Sequence, residues 1–453
     1  MNKDILFPVD SKPPVLQSLT AGFQHVLASF VGIITPTLVI GSTLGLENEI
    51  PYLLSMALFV SGIATFIQAK GFGPVGSRLI AVQGTSFAFL GALITAGFSV
   101  KNQGGNSSDI LSLLFGMCFV GAFIEIALSQ FINTFKKIIT PLVSGIVIIT
   151  IGVSLIKVGI TDLGGGFGAK DFGKPEYLLI GFCVLLTIFL LNLSSNYWLR
   201  LSSILIGMLV GSVVGYALGV FELQPFQKTA VVAIPVPLKY GFDFDWQLFI
   251  PIAVIYLLTA IETSGDLTAN SHFCGLPIKG NDYLRRIKGG ILADGINSSI
   301  AAVFNTFPNT TFGQNNAVIR LTGIASRHIG LYVAGILVLL GLFPVIGSVL
   351  QQIPKPVLGG ATLIMFATVT IAGIDVLRQN HLDRKQSLIA AVSLGLGLGS
   401  LMVPNLLEQA PKFISVLFSS PVAVAGISAI FLSLCVPENT QETIENASEN
   451  NSL

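Results

Sequence analysis

Residues 304–323, FNTFPNTTFGQNNAVIRLTG, lie between two apolar stretches and carry a proline, several amides and an arginine. Non-helical backbone is tolerated at membrane depth only where protein surrounds it or it lines a cavity, because lipid cannot satisfy its N–H and C=O groups. We therefore predict a broken segment here, with an extended piece that ends at Pro308 and a helix that begins near Gly313 to Asn316. The first turn of this helix would direct free N–H groups and a positive dipole end at a ligand.

The composition of the whole chain is that of a membrane protein. Of its 453 residues, 52% are hydrophobic and only 10% are charged, against about 25% in soluble domains, and the mean hydropathy is +0.80. A stretch of roughly 17 to 25 apolar residues can span a bilayer as a helix. We predict an all-α polytopic membrane protein with fourteen transmembrane segments. They lie at 19–40, 51–69, 80–97, 109–130, 138–158, 177–193, 200–219, 248–268, 289–304, 314–327, 329–350, 357–375, 387–403 and 413–435, those at 80–97, 289–304 and 314–327 being weaker.

Lysine and arginine are distributed unevenly between alternate loops. If the N-terminus is inside, the inner loops and span edges hold more lysine and arginine taken together, and no arginine falls in an outer loop. Because such an excess marks the cytoplasmic side, we expect both termini in the cytoplasm. Residues 1–18 would then be a cytoplasmic N-terminus, and 437–453, which are acidic and rich in Asn and Ser, a disordered tail. The net charge of +1 gives no reason to expect a nucleic-acid partner.

Two predicted spans resemble each other. TPLVSGIVIITIG from Thr140 and KPVLGGATLIMFA from Lys355 each have a proline as their second residue, with small residues after it. They are the fifth and twelfth crossings, and a repeat of seven segments inserts its second copy upside down. Proline and glycine begin many membrane helices, so chance resemblance stays open. We predict inverted repeats of seven helices each at 19–219 and 220–436. In this scheme VQGTSFAFLGA at 82–92, in segment 3, corresponds to residues 304–323, in segment 10. We therefore predict that both segments are broken and that together they form one site.

Ionisable side chains inside a membrane are costly and therefore usually functional. Glu262 in LLTAIETSGDLTA and Asp294 in GGILADGINSS are the strongest candidates, and Asp266 lies one helical turn beyond Glu262. His25 is the only histidine within an apolar span. Two alternatives stay open, since His25 could be a hydrogen-bonded packing residue and Asp266 an interfacial charge or a helix cap.

Amide and hydroxyl side chains near the broken segments suit a flat heteroaromatic ligand. Gln314 and Asn315 offer donors and acceptors, although helix capping and contacts between helices would also explain them. Ser86 offers a hydroxyl, and Phe87 a ring face and a backbone N–H. An amide and a carboxylate together could bind the edge of a nucleobase. No HExxH, GxSxG or kinase-like set occurs in the sequence, so we expect no enzyme, no metal and no cofactor.

Several of these motifs resemble those of the nucleobase/ascorbate transporter family. QNNAVIRLTG at 314–323 resembles the family signature, Gln-Asn-x-Gly-x4-Thr followed by Arg, Lys or Gly. The Gln24–His25 pair and the QGTSF, TAIETSGDLTA and KGGILADG segments match as well. The resemblance covers nearly the whole chain and looks closest to the bacterial xanthine and uric acid permease branch.

The resemblance implies a substrate-carrying core and a gate domain built from two inverted repeats, and a homodimer that moves its substrate by an elevator-like displacement. It also implies proton-coupled uptake of a purine, xanthine or uric acid, across the cytoplasmic (inner) membrane. By motif position, Glu262 would bind the purine ring, Gln314 its other edge, and Asn315 would shape affinity and specificity. The remaining roles would be turnover or proton coupling for Asp294 and Glu262, support of the site for His25, and backbone N–H groups from Phe87 and Gly313, with ring stacking by Phe87.

The chain departs from the family pattern at three positions. Ala317 stands where the signature has glycine, Arg320 at a position that is usually apolar or an amide, and Ala88 where relatives can carry a polar residue. The methyl group of Ala317 limits how closely its helix can approach a neighbour. Arg320, about two turns into its helix, needs a carboxylate, a cavity or cytoplasmic water. These departures affect which purine is carried, and uracil or another nucleobase, or an inorganic anion carried by an exchanger of the same fold, remain alternatives.

Overall fold

The computed structural model describes residues 5–131, 140–166, 169–220, 232, 234–378, 382–403, 406, 414, 418 and 420–436, without the side chains of Tyr197, Leu201, Gln314, Ala317, Arg320, Leu321 and Gln351. The predicted tail, 437–453, lies outside these ranges. Most of the described chain is helical. The helices are α1 (Val15–Leu44), α2 (Ile50–Lys70), α3 (Leu90–Asn102), α4 (Ser107–Gln130), α5 (Pro141–Leu163), α6 (Pro175–Asn192), α7 (Tyr197–Leu201), α8 (Ser203–Ala217), α9 (Trp246–Phe273), α10 (Asn281–Val303), α11 (Gln314–Thr322), α12 (Arg327–Gly341), α13 (Pro344–Gln351), α14 (Lys355–Arg378), α15 (Arg384–Met402) and α16 (Pro421–Cys435), and the strands are β1 (Gln83–Thr85) and β2 (Asn309–Thr311).

Length and apolarity identify which helices can cross a membrane. Within the described ranges eight qualify, namely α1, α2, α4, α5, α6, α9, α14 and α15, and the bent pair α12 and α13 makes a ninth. Three shorter apolar helices are Phe87–Asn102, α8 and α16. The polar segments predicted at 289–304 and 314–327 correspond to α10 and to the short α11. The protein is therefore a multi-pass helical membrane protein, and the number fourteen stays a prediction.

Polar and proline residues determine where several helices begin. Asn106 caps α4, because its side chain accepts from the N–H groups of Ser108 and Asp109 at 2.8 and 3.1 Å, and Asp109 accepts from the Asn106 N–H at 2.9 Å. Thr140 precedes α5, and Pro141 is its first residue, where a missing N–H costs nothing. These local interactions explain why the observed starts of α4 and α5 lie close to the predicted ones.

The segment predicted as one span at 329–350 is two helices. α12 ends at Gly341, α13 begins at Pro344, and the pair is bent by 78°. Pro344 has no N–H to donate to the preceding turn, and its ring clashes with a continuing helix. Hydropathy missed this break because both pieces are apolar.

The two broken segments meet as an antiparallel ribbon of two strands, β1 and β2. The paired residues are Gln83 with Thr311, Gly84 with Thr310 and Thr85 with Asn309. A helical segment follows each strand: the 3₁₀ turn Phe87–Phe89 with α3 after β1, and α11 after β2. The short extended pieces expected in segments 3 and 10 are therefore present, and they hydrogen-bond to each other.

Pro308 lies before β2 and does not end the extended piece, so this detail of the prediction was wrong. Its carbonyl accepts from the Ser86 N–H at 2.8 Å, and the Phe312 N–H donates to the Val82 carbonyl at 2.9 Å. Proline is tolerated at the start of a strand, where its missing N–H is not needed. The helix start was predicted correctly, because α11 begins at Gln314.

α5 and α14, the two spans whose sequences resemble each other, pack antiparallel along a line of glycines that we call the glycine seam (Gly145, Gly152, Gly159, Gly359 and Gly373). A methyl group at Gly152 would lie 2.6 Å from the Thr370 backbone N, and one at Gly359 only 2.0 Å from the Leu163 backbone N. Only glycine permits backbones to approach this closely.

Buried apolar side chains form two clusters. One draws mainly on α1, α2, α10 and α12, the other on α3 to α6, α14 and α16. α9 contributes to both, and so, with fewer residues in the second cluster, do α1, α2 and α10. Each broken segment crosses between them: 79–82 and Phe312 belong to the first cluster, Phe87 and Phe307 to the second. The ribbon thus lies at the junction of two packed units, where ligand sites commonly occur.

The chain before α1 is held against the segment that follows α11. The Leu6 N–H donates to the Gly323 carbonyl at 2.9 Å, and Arg327 Nε lies 2.9 Å from Asp10 Oδ1. This part of the predicted N-terminal region therefore supports the end of the second broken segment.

Candidate functional site

Asp294 lies within α10, fully buried, and its carboxylate accepts hydrogen bonds from α2, α9 and β2. Gln68 Nε2 is 2.7 Å from Oδ1, and the Thr311 N–H donates to Oδ2 at 3.2 Å. The hydroxyls of Thr263 and Thr311 also donate to it. A carboxylate surrounded by donors is suited to its ionised form. Asp294 therefore ties three elements together directly beneath the ribbon.

The amide of Gln68 has one orientation that satisfies its neighbours. The Ser77 N–H donates to its Oε1 at 2.9 Å, and its Nε2 donates both to the Gly290 carbonyl at 2.9 Å and to Asp294. Because a carbonyl can only accept, Nε2 must face Gly290. Gln68 therefore presents a fixed donor to the Asp294 carboxylate.

Glu262 has a different environment from Asp294. It lies on α9, its side chain is half-buried, and its Oε2 atom has no hydrogen-bond partner among the described residues. Its acidic neighbours are Asp294, Asp266 and Glu125. A half-buried carboxyl with free lone pairs can accept a hydrogen bond from a ligand.

Gly313 immediately precedes α11 and faces Asp266. A methyl group at Gly313 would lie 2.5 Å from Asp266 Oδ1, and the Asn316 side chain donates to the Asp266 backbone carbonyl at 3.2 Å. Asp266 lies inside α9, so it does not cap that helix. Its carboxylate is at the N-terminal end of α11, where negative charge is favourable.

The first turn of α11 was predicted to have free N–H groups, but two of them donate to carbonyls within this turn. The Asn315 N–H donates to the Phe312 carbonyl at 3.3 Å, and the Asn316 N–H to the Gly313 carbonyl at 3.0 Å. The first turn therefore satisfies two of its own donors, as 3₁₀-type bonds commonly do at helix ends.

His25 of α1 is fully buried and positions Asn315. The Asn315 side-chain Nδ2 donates to the His25 backbone carbonyl at 3.1 Å and lies 3.0 Å from His25 Nδ1. Since the carbonyl fixes Nδ2 as the donor, Nδ1 accepts, and the ring proton of a neutral imidazole is on Nε2. His25 is thus a hydrogen-bonded residue that links α1 to α11 next to the site.

The first broken segment supplies the other predicted residues. Ser86, Phe87 and Ala88 are all buried where β1 passes into the 3₁₀ turn. The Ser86 hydroxyl has no partner in the part of the chain that the structure describes. The Phe87 ring packs edge-to-face on Phe366 of α14, with centroids 5.5 Å apart. Phe87 therefore joins the ribbon to the glycine seam.

This arrangement of two broken segments beside buried carboxyls occurs in a chain that matches known proteins over most of its length. A model described as "Permease family" matches residues 16–406. Xanthine permease XanP of Escherichia coli (strain K12) is 43% identical over 445 residues, which cover 97% of this chain and 96% of that protein. The chain belongs to this permease family.

Two further comparisons extend this result. The uric acid-xanthine permease of Emericella nidulans is 30% identical over 482 residues, which cover 96% of this chain and 84% of that protein. The structure of the murine anion transporter Slc26a9 in its inward-facing state superposes with a TM-score of 0.64 at 14% identity, covering 94% of this chain and 69% of that one. At this low identity the similarity shows a shared fold alone.

Family membership confirms the resemblance seen in the sequence motifs. The permease is a membrane transporter and not an enzyme, as its family and its curated relatives are permeases. Three of the predicted site residues, Gln314, Ala317 and Arg320, lie on α11 with side chains outside the described structure. Their roles stay predictions.

The sequence analysis missed the residues that hold Asp294 and one further carboxyl of the permease. Gln68, Thr263 and Thr311 donate to Asp294, and Glu125 is buried in α4. The rule that singled out Glu262 applies equally to Glu125, an acidic residue in an apolar span. Gln68 could have been found in the same way, as an amide near the end of an apolar span.

Proposed function

We propose that the permease is a proton-coupled transporter that takes up a purine, xanthine or uric acid, across the bacterial cytoplasmic membrane. The observation that carries this proposal is Glu262, a half-buried carboxyl with an unpaired oxygen, one turn from the Asp266 carboxyl that meets Gly313 at the start of α11. The family and the named activities of XanP and the Emericella permease support the substrate class.

In this proposal the purine lies between the two broken segments. Glu262 accepts from a ring N–H, and Gln314 pairs with the opposite edge of the ring. Asn315, oriented by His25, and the unpaired hydroxyl of Ser86 lie at the same junction and discriminate between oxidised purines. Phe87 offers a ring edge or face, and Ala317, Arg320 and Ala88 adjust the choice of purine.

The same proposal includes a moving core and a fixed gate, built from fourteen segments in two inverted repeats of seven, with both termini in the cytoplasm and a homodimer as the working form. Its support is the pairing of corresponding segments. β1 with β2 and α5 with α14 both pair antiparallel, as a two-fold axis in the membrane plane requires.

An inorganic-anion exchanger is the second candidate, favoured by the shared fold with an anion transporter. The carboxyls at the junction oppose it, because Glu262, Asp266 and Asp294 would repel an anion unless protonated. A uracil or other nucleobase permease is a variant of the first proposal with a different ring in the same site.

Uptake of radiolabelled xanthine into cells that lack their own purine permeases tests the proposal. Unlabelled uric acid, hypoxanthine, guanine, uracil and sulfate compete in turn, with and without a protonophore. We expect uptake that the protonophore abolishes and that one or two oxidised purines block. Verified membrane expression without xanthine or urate uptake would overturn the proposal, and competition by sulfate would favour the exchanger.

Glu262→Gln tests the role of Glu262 in this site. The substitution keeps the shape of the side chain and removes its charge, and Oε2 has no hydrogen-bond partner to lose in the described structure. We expect uptake to fall at least about 100-fold while the purified protein stays as thermally stable as wild type. Normal uptake by this variant would remove Glu262 from the site.

A further inference from the structure

Glu125 is a buried carboxyl that none of the roles above uses. It lies in α4 next to Ile126, whose backbone N would be only 2.9 Å from a methyl group at Gly295 of α10. This close approach of the two helices places Glu125 beside the residues around Asp294. Its side chain is 1% exposed, and neither carboxyl oxygen has a hydrogen-bond partner in the described ranges.

The groups that face Glu125 are acidic or neutral. Asp294 of α10 and Glu262 of α9 interact with it electrostatically, and the Thr259 hydroxyl and the Tyr256 phenol of α9 lie near it. α3, which also packs on α4, places no titratable group in this cluster, and no basic side chain of the described residues interacts with it. The cluster therefore lacks a counter-ion within the described structure.

This environment determines where a proton is held. An ionised carboxylate that is buried, has no hydrogen-bond partner among the described residues and has two carboxyls nearby would be strongly destabilised, so the neutral form of Glu125 is favoured in this conformation. Asp294 is the opposite case, because its donors suit a carboxylate. The same small cluster thus contains one acidic group arranged to hold a charge and one arranged to hold a proton.

We propose that Glu125 carries the coupled proton while Glu262 binds the purine; this rests on the proposed proton-coupled transport. The proton is bound to Glu125 while the site is closed and is released from Glu125 once the site opens to the cytoplasm. Because the two tasks belong to different carboxyls, Glu262 is free to accept from a purine N–H. Purine and proton move inward without chemical change.

Glu125→Gln in the full-length protein tests this, since glutamine resembles a carboxyl that never releases its proton. Wild type and variant are reconstituted in proteoliposomes, and two activities are compared: xanthine counterflow, which needs no net proton movement, and accumulation driven by a pH gradient. One pH unit can drive about tenfold accumulation with one coupled proton. We expect the variant to retain counterflow within about twofold of wild type, while accumulation falls to the level without a gradient. A pH-sensitive dye inside the vesicles should show no xanthine-dependent proton entry.

Three results distinguish the possible failures. A Glu125→Gln protein that accumulates xanthine and moves protons like wild type overturns the assignment. Wild-type xanthine transport that ignores the pH gradient also overturns it, yet leaves the purine function standing, whereas wild-type protein without any xanthine transport removes the proposed function itself. If Glu125→Gln does not fold, Glu125→Asp replaces it, with an expected shift in the pH profile of accumulation and unchanged counterflow; an unshifted profile contradicts the proposal.

Discussion

The β1–β2 ribbon and the glycine seam are both antiparallel pairings between the two halves of the chain, yet they treat polar groups in opposite ways. In the seam, the hydroxyls of Thr150 and Thr370 donate to carbonyls of their own helices at 2.8 and 3.1 Å. In the ribbon, Gln83 Oε1, Thr85 Oγ1 and the Asn309 side chain are buried without partners among the described residues. The threonine hydroxyls of the seam are thus satisfied within their own helices, whereas several side-chain atoms of the ribbon have no partner among the described residues.

The two pairings are therefore suited to different tasks, the glycine seam to close packing and the ribbon to contact with a polar group. The seam achieves close contact by removing side chains, so that backbone meets backbone at Gly152 and Gly359. The ribbon is hydrogen-bonded to the Asp294 carboxylate through Thr311, and several of its buried polar atoms have no partner among the described residues. Unpaired buried groups are rare in folded proteins and usually have a functional explanation. We therefore expect substitutions in the seam to act on stability, and substitutions in the ribbon to act on transport.

Asp294→Asn should have the largest effect, because both orientations of the new amide place a donor against a donor. An Nδ2 at one position would face Gln68 Nε2, and at the other it would face the Thr311 N–H. Each unsatisfied buried donor costs about 1–3 kcal/mol. We expect uptake to fall at least about 100-fold and thermal stability to drop. Thr263→Val, which removes one donor of several, is the milder control, and an Asp294→Asn protein of wild-type stability would show that the network is not a support.

Gly152→Ala should be next, with stability as the main readout. Its methyl group would lie 2.3 Å from Thr370 Oγ1 and 2.6 Å from the Thr370 backbone N, and such overpacking costs about 1–3 kcal/mol. Gly395→Ala in α15 is the matched control, because nothing lies within 4 Å of the added methyl group. We expect the melting temperature of the detergent-solubilised protein to fall in the first variant only. Equal melting temperatures would mean that the seam is not closely packed.

Gly84→Ala should impair transport more than stability. Its methyl group would meet the Phe312 ring at 2.4 Å and the Ile33 side chain at 2.8 Å, and both neighbours are side chains that can shift. Their displacement would move β2 and the start of α11, so we expect uptake to fall about tenfold. Adding Phe312→Leu should restore part of it, since residues in contact are coupled. Additive effects of the two substitutions would mean that Gly84→Ala does not act by displacing the Phe312 ring.

Arg327→Gln should have the smallest effect. Arg327 pairs with Asp10, which is 81% exposed, and exposed ion pairs contribute about 0–1 kcal/mol. The backbone hydrogen bond from Leu6 to Gly323 remains in the variant. A double-mutant cycle with Asp10→Asn measures the coupling between the pair. A loss of transport as large as that of Gly84→Ala would mean that this pair supports α11 more strongly than its exposure indicates.

Features of the site that depend on a short stretch of sequence could be predicted, whereas contacts between distant residues could not. A proline, a glycine and a run of amides in 304–323 were enough to predict a break and the start of a helix near Gly313. The bend before Pro344 was missed because apolarity is equal on both sides of it. The partners of Asp294 were not predicted, because Gln68 and Thr311 are separated from it in sequence and meet it only after α2, α10 and β2 have packed.

The sequence by itself determined that this is a multi-pass permease, because the hydropathy of a span and the residues of a motif are properties of short stretches. It also located the two broken segments and two carboxyls on neighbouring helices, Glu262 and Asp294. Only the tertiary structure decided what surrounds each carboxyl. Asp294 is surrounded by donors, whereas among the described residues Glu262 Oε2 and both carboxyl oxygens of Glu125 have no hydrogen-bond partner. The charge state of a buried acid depends on the polar groups that packing brings to it, and those come from distant parts of the chain.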